Sequence, residues 1–160
     1  MSDIISELSA SPGRRVFGVS VLSFLGLLLL RMGLTGGGLE FLDLVVLLMG
    51  IGAIAAAWVM YRATNRSVIL TTEALVDSEG VVLARLDDIA TVDRGTFAFK
   101  PSNGFLMRTK TRGHRLWQPG LYWRFGRRIG VGGITRAAEA KAMADLITIK
   151  LAQREAENAG

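Results

Sequence analysis

The sequence predicts an α+β membrane protein, in which an N-terminal transmembrane helical hairpin is followed by a small antiparallel β-barrel or sandwich and a C-terminal helix. Two long uncharged runs within the first 62 residues predict the hairpin. Short β-prone runs separated by turn signals begin at Ser67, and the segment from Thr135 onward is rich in alanine. We therefore divide the chain into an N-terminal segment 1–15, a transmembrane hairpin 16–62 and a folded domain 67–157.

The two apolar runs are close to the length of a membrane span. Val16–Leu30 and Leu44–Tyr61 contain fifteen and eighteen residues without a charge, and a helix needs about 20 residues to cross ~30 Å of hydrocarbon. The first run reaches that length if it continues to Leu34, with the Arg31 side chain extending toward the head groups. The alternatives are a secretory signal peptide, which a missing small-x-small cleavage site disfavours, and two buried helices of a soluble bundle.

The flanking charges predict the orientation of the hairpin. Its connecting loop carries one arginine against Glu40 and Asp43, whereas arginines stand at both of its outer ends: Arg14, Arg15, Arg62 and Arg66. The positive-inside rule therefore places both termini in the cytoplasm, and we expect a two-pass protein of the bacterial cytoplasmic (inner) membrane. Neither uncharged run contains an acidic residue or a histidine, which favours an anchor over an ion path.

Small residues recur in both runs, as Gly18, Ser23 and Gly26 in the first and as "GIGAIAAAW" in the second. Small residues let helix backbones approach closely in lipid. They either pack the hairpin on itself or contact another membrane subunit.

About six or seven short antiparallel strands are predicted after the hairpin. A tight turn across Asp77–Gly80 joins two of them, Asn103-Gly104 and Pro119-Gly120 mark further turns, and "RGH" (112–114) is predicted to turn the chain as well. Alternation predicts which side chains share a face. Ile89 and Val92 are predicted to be buried, and Phe97 and Phe99 in "TFAFK" share one face. In "FLMRTKT", Phe105, Met107 and Thr109 alternate with Leu106, Arg108 and Lys110.

A helix is predicted from near Thr135, which we expect to cap it, with Glu139 favourably placed near the positive N-terminal end. We expect fraying after Arg154. The residues predicted to face the core, at three-to-four spacing with Met143 beside them, are Ala138, Ala142, Leu146, Ile149 and Gln153.

One stretch carries a family resemblance. "LTTEALVDSEGVVLARLDDIATVDRG" resembles the opening of bacterial pleckstrin-homology-like (PH-like) domains, where an L-x-x-I-x-x-V strand, here Leu86, Ile89 and Val92, follows a short hairpin. A transmembrane helix pair ahead of such a domain is also common among bacterial membrane proteins. The resemblance implies a barrel with a C-terminal helix at one end and a role in binding or assembly. It carries over no catalytic residues.

The stretch "WRFGRRIGVGG" (123–133) raises the question of a phosphate-binding loop. It lacks the Lys-Ser/Thr pair of a P-loop, and it does not lie within an alternating β-α unit. We interpret Gly130, Gly132 and Gly133 as a strand-to-helix connection with unusual backbone angles.

Positive charge is concentrated in the second half of the domain. Ten lysines and arginines, and no acidic residue, lie between Asp93 and Glu139. A general positive-inside bias, contact with anionic lipid, and a head-group pocket at Arg124, Arg127 and Arg128 are the alternatives, while membrane tethering disfavours nucleic acid. The predicted lipid or phosphate contacts are Lys100, Arg108, Lys110, Arg112, Arg115, Arg124, Arg127 and Arg128, and the predicted membrane-interface aromatics are Trp58, Tyr61, Trp117 and Trp123.

Catalytic chemistry has little support in the sequence. His114 is the one histidine and is predicted in a turn, cysteine is absent, and Asp87 and Asp88 would point to opposite faces of a strand. We expect no catalytic residues, cofactor or metal. We predict a non-catalytic accessory or assembly subunit that binds a membrane-protein partner or a second copy of itself; the alternative is an anionic-lipid-sensing module that uses the basic face 94–136.

Overall fold

The computed structural model describes residues 3–36, 40–93 and 101–159. The chain divides into two compact units, Pro12–Arg62 and the combination of Met1–Ser11 with Ala63–Gly160. We call them the hairpin unit and the domain. The strand predicted at "TFAFK", with Phe97 and Phe99 on one face, lies outside the described residues.

The hairpin unit consists of α1 (Pro12–Thr35) and α2 (Phe41–Ala63). Both helices are long and apolar enough to cross a membrane, with mean hydropathies of 2.0 and 2.3 in their most apolar windows. Only 11% of each window is buried. Core helices of soluble proteins are mostly buried, so this exposure disfavours the alternative of two buried helices. The prediction of two apolar N-terminal helices is confirmed.

Glycines mark the contact between α1 and α2. A β-carbon on Gly26 would lie 2.7 Å from Ile54 Cδ1 and 3.1 Å from the Gly50 carbonyl oxygen. One on Gly33 would lie 2.6 Å from Leu47 Cγ, whereas one on Gly52 would have no neighbour within 4 Å. The hairpin therefore packs on itself through glycines, as small residues permit in helix pairs.

The described part of the domain contains two antiparallel sheets, neither of which is closed. The first has the order β1-β2-β3-β4 and the second the order β5-β6-β7. The strands are β1 (Ile4–Ser9), β2 (Ser67–Thr71), β3 (Ala74–Asp77), β4 (Val82–Arg85), β5 (Ile89–Asp93), β6 (Phe105–Gln118) and β7 (Tyr122–Val131). The turns predicted across Asp77–Gly80 and at Pro119-Gly120 lie where expected, since they join β3 to β4 and β6 to β7.

Strand β1 was not predicted from the sequence. It pairs with β2, with Leu8 opposite Val68 and Ser9 opposite Ser67, and Leu8 is buried in the core. The hairpin unit is therefore an insertion between two paired strands of one sheet. The segment 1–15, predicted as a separate N-terminal element, supplies an edge strand to the domain.

Helix α3 (Ala137–Ala159) covers the core with a face different from the predicted one. Met143 is buried as expected, but Ala138, Ala142 and Ile149 are exposed. Leu146, by contrast, is partly buried against the core as predicted. The rest of the predicted stripe is wrong, because the alanine-rich sequence leaves the apolar face poorly defined. The residues that enter the core are Ala140, Met143, Ala144, Ile147 and Leu151.

The ends of α3 also differ from the prediction. Thr135 does not cap the helix; its buried hydroxyl donates to the Asn103 carbonyl at 2.9 Å, and the helix begins two residues later. The helix continues past Arg154, whose Nη1 donates to the Leu86 carbonyl at 2.8 Å. That bond anchors α3 at Arg154, and the residues after it, which were predicted to fray, are helical to Ala159.

Two further local predictions are wrong. "RGH" is not a turn, because β6 runs continuously from Phe105 to Gln118 and His114 is an exposed strand residue. Asp87 and Asp88 lie in a 3-10 turn, Leu86–Asp88, and not in a strand. The alternation predicted at the start of β6 is confirmed, since Phe105, Met107 and Thr109 are buried whereas Arg108 and Lys110 are exposed.

Candidate binding surface on the β6–β7 hairpin

The β6–β7 hairpin bends at its middle, and the bend sets which side chains share a face. In β7 the residues that point inward have even numbers near Tyr122 and odd numbers near Ile129. The strand pairing shifts between these regions, and Gly113 lies opposite Gly126, which has φ +60°. An L side chain rarely adopts that angle, so glycine permits the bulge. One face of the hairpin thus collects residues that strict alternation would place on opposite sides.

Aromatic residues cover one half of the outer face. Trp117 and Trp123 are cross-strand partners, and the Trp123 and Phe125 rings lie 5.3 Å apart. Trp117 is 63% exposed and Phe125 is 44% exposed. The Trp123 indole lies against Gly130 so closely that a β-carbon there would overlap it. Exposed aromatic clusters on a folded domain are typical of interaction surfaces.

Arginines occupy the rest of the outer face. The Arg115 guanidinium carbon lies 4.8 Å from the centre of the Phe125 ring, a cation–π contact. Arg108 and Arg128 are direct cross-strand partners and both are exposed. Like charges directly opposite each other destabilise a sheet, so this pair costs stability unless an anion lies between the two guanidinium groups. Asp93 is the cross-strand neighbour of Leu106 at the edge of the same face.

The remaining predicted contact residues have different surroundings. Lys110 is exposed, and its Nζ donates to the Asp87 carbonyl at 3.0 Å. Arg112 and Arg127 are exposed near the bend, and Arg112 lines a cleft of about 500 Å³ beside β4. Lys100 lies outside the described residues.

Arg124 is buried, unlike the other arginines of the hairpin. It is 8% exposed, its Nη1 donates to the Leu83 carbonyl at 2.5 Å and its Nε donates to the Gly126 carbonyl at 3.3 Å. Its guanidinium lies directly over Gly113, where any side chain would overlap it. Arg124 therefore links β7 to β4 across the gap between the two sheets, and the three arginines of "WRFGRR" do not act as one cluster.

The predicted interface aromatics of the hairpin unit lie together near the end of α2. The Trp58 and Tyr61 rings are 6.4 Å apart, and the Arg15 guanidinium carbon lies 5.0 Å from the centre of the Tyr61 ring. Amphipathic rings and arginines of this kind favour the head-group layer of a bilayer.

A buried polar network lies on the other side of the domain. Asp77 accepts hydrogen bonds from Tyr122 Oη at 2.8 Å and from Arg66 Nη1 at 3.0 Å, and from the backbone N–H groups of Glu79 and Val81 at 2.9 Å each. Burial raises the pKa of Asp77, but these hydrogen bonds outweigh burial and hold the pKa below its usual value. Burial, together with Asp77, raises the pKa of Tyr122. Both carboxylate oxygens of Asp77 accept hydrogen bonds from within the protein, so we interpret the network as structural.

Gly132 and Gly133, at the end of the stretch "WRFGRRIGVGG", have the unusual backbone angles predicted for a strand-to-helix connection, with φ values of +140° and +131°. Gly130 instead lies within β7. Among the described residues, no group of three or more histidines, cysteines or carboxylates is arranged to hold a metal ion.

The sequence pointed to the basic region but not to its geometry. The missing information is the bulge at Gly126, since it turns Arg124 inward and brings Trp123, Phe125 and Arg128 to one surface. A glycine facing another glycine between two β-prone runs is the signal that could have indicated it.

Comparisons of the chain with protein-family models, with curated proteins and with solved structures found no match.

Proposed function

We propose that this chain is a two-pass membrane protein whose domain is a non-catalytic binding module, and that the outer face of β6–β7 is its binding surface. The observation that carries the proposal is the exposed cluster of Trp117, Phe125 and Arg115 beside the Arg108–Arg128 pair. Such a surface costs solubility and sheet stability in water, and a bound partner would offset both costs.

Chain topology supports the membrane arrangement. Strands β1 and β2 are paired neighbours, and α1 and α2 lie between them in sequence. If the two helices span a bilayer, the N-terminal strand and everything after Ala63 must be on the same side. The arginines at the outer ends of the helices favour the cytoplasmic side of a bacterial inner membrane.

The PH-like assignment is part of this proposal. The described residues form seven strands in two antiparallel sheets, followed by a helix packed on the core, and this arrangement supports it. In this arrangement the membrane hairpin would be an insertion into the first strand connection of the domain.

The non-catalytic assignment is supported by the state of the titratable groups. The buried group Asp77 is saturated by internal hydrogen bonds, and Asp88 accepts bonds from Thr111 N at 2.9 Å and Thr111 Oγ1 at 2.8 Å. Neither carboxylate is positioned to transfer a proton to a substrate.

We propose that the hairpin unit binds a protein of a larger membrane complex, for which this chain would be an accessory or assembly subunit. The exposed Gly52 of α2, with open space around it, favours helix contacts in the membrane in addition to the β6–β7 surface. A second copy of the chain is the other protein candidate.

Oxidative footprinting in native membranes tests the proposed function. We expect Trp117 and Phe125 to be protected in native membranes and reactive in the detergent-purified protein. Val82 and Ile149, which are 50% and 53% exposed elsewhere on the domain, serve as controls and should react equally in both. Equal reactivity of Trp117 in the two preparations would overturn the assignment of this surface.

A further inference from the structure

The outer face of β6–β7 combines two chemistries that one ligand can satisfy together. Its aromatic half presents Trp117, Trp123 and Phe125, and its cationic half presents Arg108, Arg128 and Arg115. We infer that this face docks on an acidic phospholipid surface, an inference that rests on the proposed function and names the ligand of the same surface.

The arginine pair carries the electrostatic part of the inference. No carboxylate of the described residues forms an ion pair with Arg108 or Arg128. Adjacent guanidinium groups repel each other, and a phosphate between them converts the repulsion into two charge-assisted hydrogen bonds. An anionic leaflet offers such phosphates at high density.

The aromatic half carries the apolar part. Indole and phenyl rings with one exposed edge favour the region between head groups and acyl chains. The Arg115 guanidinium lies over the Phe125 ring, so on docking the cation and the ring would lie at a similar depth in the head-group layer. The carboxylates of a soluble acidic protein would pair with the arginines, but they would not provide the partly apolar environment that the exposed rings favour.

Short connections join the domain to the hairpin unit. Two residues separate β1 from α1, and three separate α2 from β2. An extended residue spans at most about 3.6 Å, so the tethers reach about 10 Å. The effective concentration of lipid at the domain is therefore high, and a weak interaction is sufficient.

The buried Arg124 is not part of this surface, because its guanidinium is bonded to the Leu83 and Gly126 carbonyls. This separates the present surface from the head-group pocket predicted at Arg124, Arg127 and Arg128. Replacement of Arg124 is expected to disturb the fold, and replacement of Arg108 or Arg128 to disturb docking.

The test uses the full chain with Trp58→Phe, so that Trp117 and Trp123 are the only tryptophans, in nanodiscs that contain brominated lipid. We expect strong quenching of tryptophan fluorescence in discs with about one-third phosphatidylglycerol, and weaker quenching in discs of phosphatidylcholine alone. In the acidic discs, R108A/R128A should lower the ratio of docked to undocked domain by about 30-fold, at about fivefold per arginine. Salt near 1 M should have a similar effect.

A variant with the same loss of charge elsewhere is the control. K141A/K150A removes two cations from α3 and should leave quenching unchanged. Equal quenching in acidic and neutral discs, or equal effects of the two double variants, would overturn the inference. If lipid never quenches Trp117 and yet native membranes protect it from oxidation, the ligand is a protein; the proposed function then stands and the lipid inference fails.

Discussion

At the scale of single residues, the same residue type has opposite roles depending on a backbone irregularity. Arg124 is inward and bonded to two carbonyls, whereas Arg128, four positions later, is outward and exposed. Even spacing would place both on one face of a regular strand. The bulge at Gly126 separates them, and no pattern of hydrophobicity in this stretch predicts it. By contrast, Phe105, Met107 and Thr109 were predicted correctly, because β6 is regular there.

Asp77 is the residue on which the polar core of the domain depends. Asp77→Asn should lower the free energy of unfolding by about 1–3 kcal/mol, because an amide nitrogen then faces the hydrogen-bond donors that the buried carboxylate accepts from. Glu79→Gln is the matched control. Glu79 pairs with the same arginine at 2.7 Å but is 59% exposed, so its loss should cost below about 1 kcal/mol. Thermal unfolding of the full chain in detergent measures both, and equal effects would contradict this account.

The pKa values of this network give stability a defined dependence on pH. Because folding lowers the pKa of Asp77, its contribution is present above the unfolded value of about 4 and is lost as the pH falls through the folded value. Because folding raises the pKa of Tyr122, its contribution is present below about pH 10 and is lost at higher pH. Unfolding midpoints from pH 3 to 11 should therefore fall at both ends. Asp77→Asn should weaken the acid dependence and Tyr122→Phe the alkaline one, and unchanged slopes in these variants would refute the assignment.

At the scale of elements, the sequence predicts strands well where turns are marked and poorly where they are not. The β3–β4 and β6–β7 turns carry Gly80 and Pro119-Gly120, and both were located correctly. Strand β1 was missed, because "IISELS" has weak alternation and its partner is about 60 residues away in sequence. The face of α3 was misassigned, because alanines surround the helix and give little contrast.

Strand β1 makes the domain depend on residues from both sides of the hairpin. We predict that residues 3–11, joined to residues 63–159 by a Gly/Ser linker of about eight residues, form a folded soluble domain, since Ser9 and Ser67 are already paired. The fragment 67–157 lacks β1 and leaves the core position of Leu8 empty, which costs about 2–5 kcal/mol by analogy with large-to-small core substitutions. Urea unfolding followed by circular dichroism compares the two. Equal stability would show that β1 is dispensable.

Helix pairing within the hairpin unit depends on the glycines at the contact. Gly26→Leu should destabilise the hairpin by about 1–3 kcal/mol, because the new side chain meets Ile54 and the Gly50 carbonyl. Gly52→Leu is the control, since a side chain there meets open space. Thermal unfolding in nanodiscs should show a lower midpoint for the first variant only. A larger effect of Gly52→Leu would indicate that another helix packs on that side of α2.

At the scale of the whole molecule, a hairpin of two long apolar helices interrupts the sequence of one folded domain. The α+β class and the two apolar helices followed from composition and periodicity alone. The joining of residues 3–9 to the rest of the domain could not be predicted, because strand pairing across an insertion leaves no local pattern in the sequence. If α1 and α2 span a membrane, this joining requires both ends of the hairpin to be on one side of it.

Cysteine labelling in intact cells and in inverted vesicles tests this claim most directly, because the chain contains no cysteine of its own. The positions are Asp3→Cys, Glu40→Cys and Glu157→Cys, all exposed and one on each segment outside the two apolar helices. We predict that a membrane-impermeant maleimide labels positions 3 and 157 from the cytoplasmic side and position 40 from the opposite side. Labelling of positions 3 and 157 from different sides, or of all three from one side, would contradict the account.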